Sequence, residues 1–296
     1  MRPVKLLKSS CRRLLNRFSS DWVPDRPLLV WRYIARHRRL PNLVRPTRFT
    51  EKILRRIMFD RRPILAVMAD KFAVREHVRQ RVGEHLLPEL LHVTTDPRTI
   101  PFDTLPEKFV VKPTHGANWV RVVTDRSLVD RRELIATCQG WLRQNYHAVT
   151  REWAYRNVTP RIVVEELIDD GNGITPHDYK LFMFNGRTEF ILVIMGRFEE
   201  RSHAVLTPDW QPVDVIWPYT GRPGTAAPPP HLAEMLRAAE QLGRDMDFVR
   251  IDFYDTPEKL FFGELTATPG CSLERWEPAS FDRTLGSYWT VGRTGR

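Results

Sequence analysis

Between Phe248 and Gly270 the chain carries four residues able to hold or move charge, Arg250, Asp252, Glu264 and Thr266, within two apolar-rich runs, 248–254 and 260–266. A polar segment holding Asp255 and Pro257 separates the runs, the pattern of a hairpin with a five-residue loop. Pairing Tyr254 with Leu260 sets Asp252 across from Phe262, and period-two alternation turns the four residues onto one face. Two carboxylates buried together in an apolar sheet are costly without a cation, and their hard oxygens suit Mg2+ carried by a nucleotide phosphate. An ordinary solvated strand face accounts for the same residues, so this stretch alone leaves both readings open.

Other stretches hold chemistry of a matching kind. Lys112 ends an apolar run, where an ammonium needs an anionic partner such as a phosphate oxygen. The loop Pro113–Asn118 follows it and predicts strand, loop, strand. In that loop Gly116 lets backbone N–H groups approach phosphate, and Thr114, His115 and Asn118 offer side-chain hydrogen bonds. Asp70-Lys71 lies within a helix expected from Ile64 through Val78. A strand from Arg161 to Ile168 turns acidic at Glu165 and Glu166 and runs through Leu167 to a Gly-rich segment with Asp170. Asn185-Gly186 between two apolar runs is the strongest short hairpin signal in the chain, and Lys180 stands near the start of its first strand. Arg197 and Arg201 follow the second strand. In Tyr146–Tyr155, Arg151 could meet an anionic substrate, with Glu152 beside it as its partner.

In this order the motifs resemble the TupA-like ATP-grasp family, associated with bacterial cell-surface polysaccharide and teichuronopeptide synthesis; the resemblance spans about residues 49–290. It rests on Arg250-Ile-Asp252, on Glu264-Leu-Thr-Ala-Thr-Pro-Gly270, where Thr266 replaces the usual Asn, and on the Tyr-x(n)-Arg-Glu-Trp segment ending at Trp153. It implies an α+β fold of two lobes clasping ATP. Asp252, Glu264 and Thr266 would hold Mg2+, leaving open one metal or two. Lys71, Lys112, Thr114, His115, Gly116 and Asn118 would meet the phosphates. Glu165, Glu166 and Leu167 would line adenine with Asp170 near the ribose, and Lys180 and Arg250 would be catalytic. The implied activity is an ATP-dependent carboxylate-amine ligation through an acylphosphate, acting on a carboxylate-bearing saccharide or peptide and an amine. A glycosyltransferase or sugar phosphotransferase of polysaccharide biosynthesis is the alternative.

The elements that must position these residues follow from pattern. Amphipathic helices are expected over 4–18, Leu28–Arg39, 47–60, 130–148 and His231–Gly243, and residues 205–230 read as a surface excursion. We expect a basic helical extension (1–48), a first lobe with preceding helices (49–168) and a second lobe with the metal hairpin (169–296). At 296 residues, 42% hydrophobic and 28% charged, the chain is an ordinary globular one. Of its net charge of +10, residues 1–50 carry +11, from 13 Lys/Arg against 2 Asp/Glu, so the body is close to neutral, which argues against a nucleic-acid partner. Residues 1–20 hold six Lys/Arg and no acid beside an apolar stripe from Leu7 to Phe18, a candidate contact with anionic membrane. Three scattered cysteines indicate neither a disulfide framework nor a zinc site. The longest purely apolar runs, Ile64–Ala69 and Phe190–Met195, are far short of the ~20 residues that span a bilayer. Arg12, Arg13 and Arg17 interrupt any secretory apolar core. The expected location is the cytoplasm, peripheral at the inner face of the membrane.

Overall fold

Helices open the described part of the chain. The computed structural model describes residues 24–169, 176–196, 201–217 and 221–290, so the helix expected over 4–18 lies outside the described residues. The first helices are α1 (Asp25–His37), α2 (Phe49–Phe59), α3 (Pro63–Ala69) and α4 (Ala73–Val82). The α2 N-terminus is held by Glu51, whose carboxylate accepts from the N–H groups of Thr47 and Arg48, rather than by the Thr47 hydroxyl. The single helix expected over 64–78 is two. Asp70 accepts from the N–H groups of Phe72 and Ala73, and this capping carboxylate starts a new helix at the cost of the old one.

A four-stranded antiparallel sheet follows, made of Leu90–Thr94 (β1), Phe109–Pro113 (β2), Arg121–Val123 (β3) and Ile162–Glu166 (β4) in the order β1-β4-β2-β3. Its core of Phe109, Val111, Ile162 and Val164 is covered by α5 (Arg131–Leu142) through Leu134 and Cys138. The helix expected to run to 148 stops at Leu142, and α6 (Tyr146–Thr150) restarts where Asn145 accepts from the Ala148 N–H.

The second sheet has six strands, Asp178–Phe184 (β5), Arg187–Met195 (β6), Ser202–Leu206 (β7), Arg222–Pro223 (β8), Phe248–Asp255 (β9) and Leu260–Thr266 (β10), in the order β10-β9-β5-β6-β7-β8. The segment read as an excursion, 205–230, thus holds the end of β7 and the short strand β8. Asn185 and Gly186 sit at φ 49° and 81°, as the tight turn between β5 and β6 requires. This sheet is buried on both faces. Tyr179, Leu181, Met183, Val249, Ile251 and Phe253 face α3, α4 and α7 (Leu232–Gly243). Phe182, Phe184 and Phe248 face α1, α2 and α8 (Phe281–Tyr288). Helices α2 to α4 therefore share a core with the second sheet although they precede the first in the chain. Arg56 of α2 ties that core together, donating to the carbonyls of Phe248 and Ala267 and to Asp247. Among the described residues no helix is long and apolar enough to cross a membrane.

Candidate active site

On the α1/α2 side of the large sheet the apolar face ends and a charged one begins. Successive rungs across β5 and β9 are Phe184 with Phe248, Phe182 with Arg250, and Lys180 with Asp252. On β10 the rungs continue to Thr266 beside Arg250 and Glu264 beside Asp252. Lys180, Asp252 and Glu264 therefore stand side by side on three neighbouring strands, spaced ~5 Å apart by sheet geometry. The expected register differs. Asp255 pairs with Leu260, leaving a four-residue loop, and a bulge at Gly263 shifts Glu264 opposite Asp252. A Cβ at Gly263 would stand 3.0 Å from the Asp252 carbonyl oxygen, so the bulge favours glycine.

Asp252 is 4% exposed and neutralises two buried cations. Lys180 donates to its Oδ2 at 2.5 Å, and Arg250 donates from Nε to Oδ1 at 2.7 Å and from Nη2 to Oδ2 at 2.8 Å. Lys180 also pairs with Asp178 at 2.7 Å. Burial works against both charges of the pair, but Arg250 and Lys180 hold the Asp252 carboxyl below the usual range, while Asp178 and Asp252 hold the lysine above its own. Glu264 is freer: its side chain is 34% exposed and its carboxylate lies 3.7 Å from Arg250 Nη2. Thr266 accepts from that same nitrogen at 3.0 Å. Nearby Glu274 is buried with Oε2 unpaired, and burial pushes its carboxyl up to about 7.

The donors fit a hard divalent cation. A carboxylate offers about four lone-pair positions, and three hydrogen bonds leave Asp252 roughly one, while Glu264 retains its own. Asp178, Asp252 and Glu264 outnumber Lys180 and Arg250, so added positive charge is favoured there. Among the described residues no three His, Cys, Asp or Glu side chains converge as a metal-ligating group, so remaining ligands would come from phosphate and water.

The predicted phosphate residues divide. Lys71, in the turn between α3 and α4, donates to the Gly116 carbonyl oxygen, and burial lowers its pKa. Lys112 pairs with Glu165 at 2.5 Å, and Arg75 holds the other oxygen of Glu165 at 2.9 Å. Lys71, Lys112 and Glu264 line one narrow gap between β2/β4 and β10, with a volume of about 20 Å³. Thr114 and His115 turn inward instead. Thr114 donates to the Thr159 carbonyl and accepts from the Arg161 N–H, and His115 bonds the Trp141 carbonyl at 3.0 Å. Asn118, at φ 63°, lines the larger cavity described next. Glu165 is buried against its two cations, Glu166 accepts from the Glu89 N–H, and Leu167 lies just beyond β4. Asp170 and Arg197 lie outside the described residues.

Beside the gap opens a cavity of about 550 Å³, lined among others by Lys180, Arg250, Glu264, Thr266 and Arg201. Glu152 also lines it, and is not the partner of Arg151. Thr268 and Cys271 donate to Glu152, whose carboxyl burial pushes up. Arg151 pairs instead with Asp25 at 3.1 Å and faces a separate cavity of about 370 Å³ with Arg61 and Arg156. Asp178 could have been found from sequence, because it lies two residues from Lys180 on the same face. Glu274, and Arg32 of α1, which lines the same cavity, carried no such signal.

A model of the family described as TupA-like ATPgrasp matches residues 51–290. No curated protein matches the chain. Among solved structures, it is similar to a D-alanine–D-alanine ligase from Bacillus anthracis complexed with ATP, at 18% identity over 70% of this chain and 58% of that one, with a TM-score of 0.43. It is also similar to the ATP-grasp ligase PsnB complexed with a precursor variant, Mg and ADP, at 15% identity over 76% and 61%, with a TM-score of 0.40. The chain thus spans less than two thirds of the length of either ligase.

Proposed function

The chain belongs to the TupA-like ATP-grasp family, and from that premise we propose that it is an ATP-dependent carboxylate-amine ligase of cell-surface polysaccharide modification. The observation that carries the proposal is the rung Lys180–Asp252–Glu264, whose Glu264 also lines the gap with Lys71 and Lys112. In this reading Lys71 and Lys112 bind the ATP phosphates, with Gly116 and Asn118 in the loop beside them. Lys112 exchanges Glu165 for phosphate as ATP enters. The gap holds about 20 Å³, room for roughly one water, so ATP binding requires the two sheets to part. Thr114 and His115 keep the loop in shape, and Glu166 and Leu167 form the adenine edge at the end of β4.

Asp252, Glu264 and Thr266 would hold Mg2+, which when bound supplies positive charge against the triphosphate. Lys180 and Arg250, already fixed by Asp252, stabilise negative charge developing on the transferred phosphoryl group. The acceptor carboxylate oxygen attacks the γ-phosphorus, the bond to the bridging oxygen breaks, and ADP leaves. The amine then attacks the acyl carbon, phosphate departs, and the nitrogen loses a proton, forming an amide. The acceptor is a saccharide or peptide carboxylate, and the 550 Å³ cavity suits a group of that size. We further propose peripheral contact of residues 1–20 with the anionic inner face of the membrane, in the cytoplasm.

The test is ADP and phosphate release from MgATP with uronic-acid and peptide carboxylates and a set of amines. Release that requires both a carboxylate and an amine supports the ligase. Release of a nucleoside diphosphate from a sugar nucleotide, with ATP untouched, would replace it with a transferase.

A further inference from the structure

Helix α1 precedes the stretch shared with the family, yet it forms a wall of the large cavity through Leu29 and Arg32. Arg32 is 7% exposed. Its Nη1 donates to the Val149 carbonyl at 2.9 Å, while its Nη2 is buried without a hydrogen-bond partner. A buried charged donor left unpaired is costly, and an anion seated in the cavity would relieve that cost.

Among the described residues no carboxylate is hydrogen-bonded to Nη2. Asp25 is engaged by Arg151 and His147. Glu152 is taken up by Thr268 and Cys271, and burial favours its neutral form. Cys271 donates its thiol proton to Glu152 and burial keeps it a thiol. The cavity thus has a carboxylate at Glu264 and a cation with an unpaired donor at Arg32, among Cys271, Ser272 and Thr150.

We propose that Arg32 is a specificity residue that binds a second oxyanion of the acceptor, a carboxylate or a phosphate in addition to the carboxylate that reacts. The acceptor is then at least dianionic, such as a dicarboxylate or a phosphorylated uronic acid. A guanidinium suits either group, since its planar donors match both geometries. That the anion belongs to an acceptor rests on the ligase reading; that an oxyanion binds at Arg32 does not.

The experiment uses the full chain saturated with ADP and Mg2+, so that nucleotide phosphate positions are filled, and titrates malonate and inorganic phosphate separately by calorimetry. The parent should bind at least one of them. Arg32→Met should weaken that binding by about tenfold to a hundredfold, the range for a hydrogen bond to a charged group, while ADP affinity stays unchanged. A role that is structural only would lower the melting temperature through the lost bond to Val149 and leave anion affinity unchanged. Malonate alone identifies a dicarboxylate acceptor and phosphate alone a phosphorylated one. Equal anion affinity in parent and variant, or no anion binding by the parent, overturns the proposal; if Arg32→Met does not fold, Arg32→Gln decides by the same criteria. Anion binding through Arg32 in a protein that binds no ADP would keep this site and remove the ligase reading instead.

Discussion

Asp252 and Glu264 stand on the same rung but do different work, and Asp252→Asn set against Glu264→Gln separates metal binding from folding. Asparagine keeps one acceptor oxygen and the volume of the side chain but loses its charge. Lys180, 8% exposed, is then left with Asp178, and Arg250, 9% exposed, with Glu264 at 3.7 Å. Removing one partner of a buried ion pair costs about 3–5 kcal/mol, and because Asp178 still neutralises the lysine we expect the lower end, about 3 kcal/mol. For a chain of this size that is a fall in Tm of about 5 °C. Glu264, one-third exposed and at long range from Arg250, should cost under about 1 kcal/mol. Both variants lose a metal-binding charge, so in each the gain in ATP affinity on adding Mg2+, measured by calorimetry against an EDTA control, should fall at least about tenfold. A Tm for Asp252→Asn equal to the parent's would refute the buried-neutraliser argument. An intact Mg2+ effect in Glu264→Gln would refute the metal assignment.

Lys112→Met should weaken ATP binding about tenfold or more by calorimetry and lower Tm only slightly, since Arg75 still neutralises Glu165; equal affinity would make Lys112 a structural residue. Glu274 has its folded pKa raised by burial to about 7 from 4.5, so the folded state releases its proton later than the unfolded one and stability falls as pH rises from about 4.5 to 7. The full penalty, about 3 kcal/mol, is present above pH 7; Glu274→Gln should remove that slope in urea unfolding at pH 5 and 8, and an unchanged slope would assign it elsewhere. Deleting residues 1–20 should abolish cosedimentation with vesicles containing phosphatidylserine at low salt and leave ATP affinity unchanged; a full-length protein that ignores such vesicles even at low salt would refute the membrane contact.

By itself the sequence determined those features that depend on near neighbours along the chain. Period-two alternation placed Arg250, Asp252, Glu264 and Thr266 on one face, and Asn185-Gly186 marked a turn, because side-chain direction and turn conformation are properties of a few consecutive residues. Local competition already limited this reading: a capping aspartate at 70 and an asparagine at 145 each divided a helix that apolar spacing alone would continue. Only the tertiary structure decided partners. The Gly263 bulge, not turn length, set Asp252 opposite Glu264, since the register answers to the packing of β9 between β5 and β10. Glu165 went to Lys112 and Arg75, His115 to a carbonyl of α5, and Arg151 and Glu152 to different cavities although they are adjacent in sequence. Arg32 and Glu274 reach the cavity and its charged rungs from segments outside the two hairpins, because which side chains the packed chain brings together is set by tertiary contacts that no local pattern encodes.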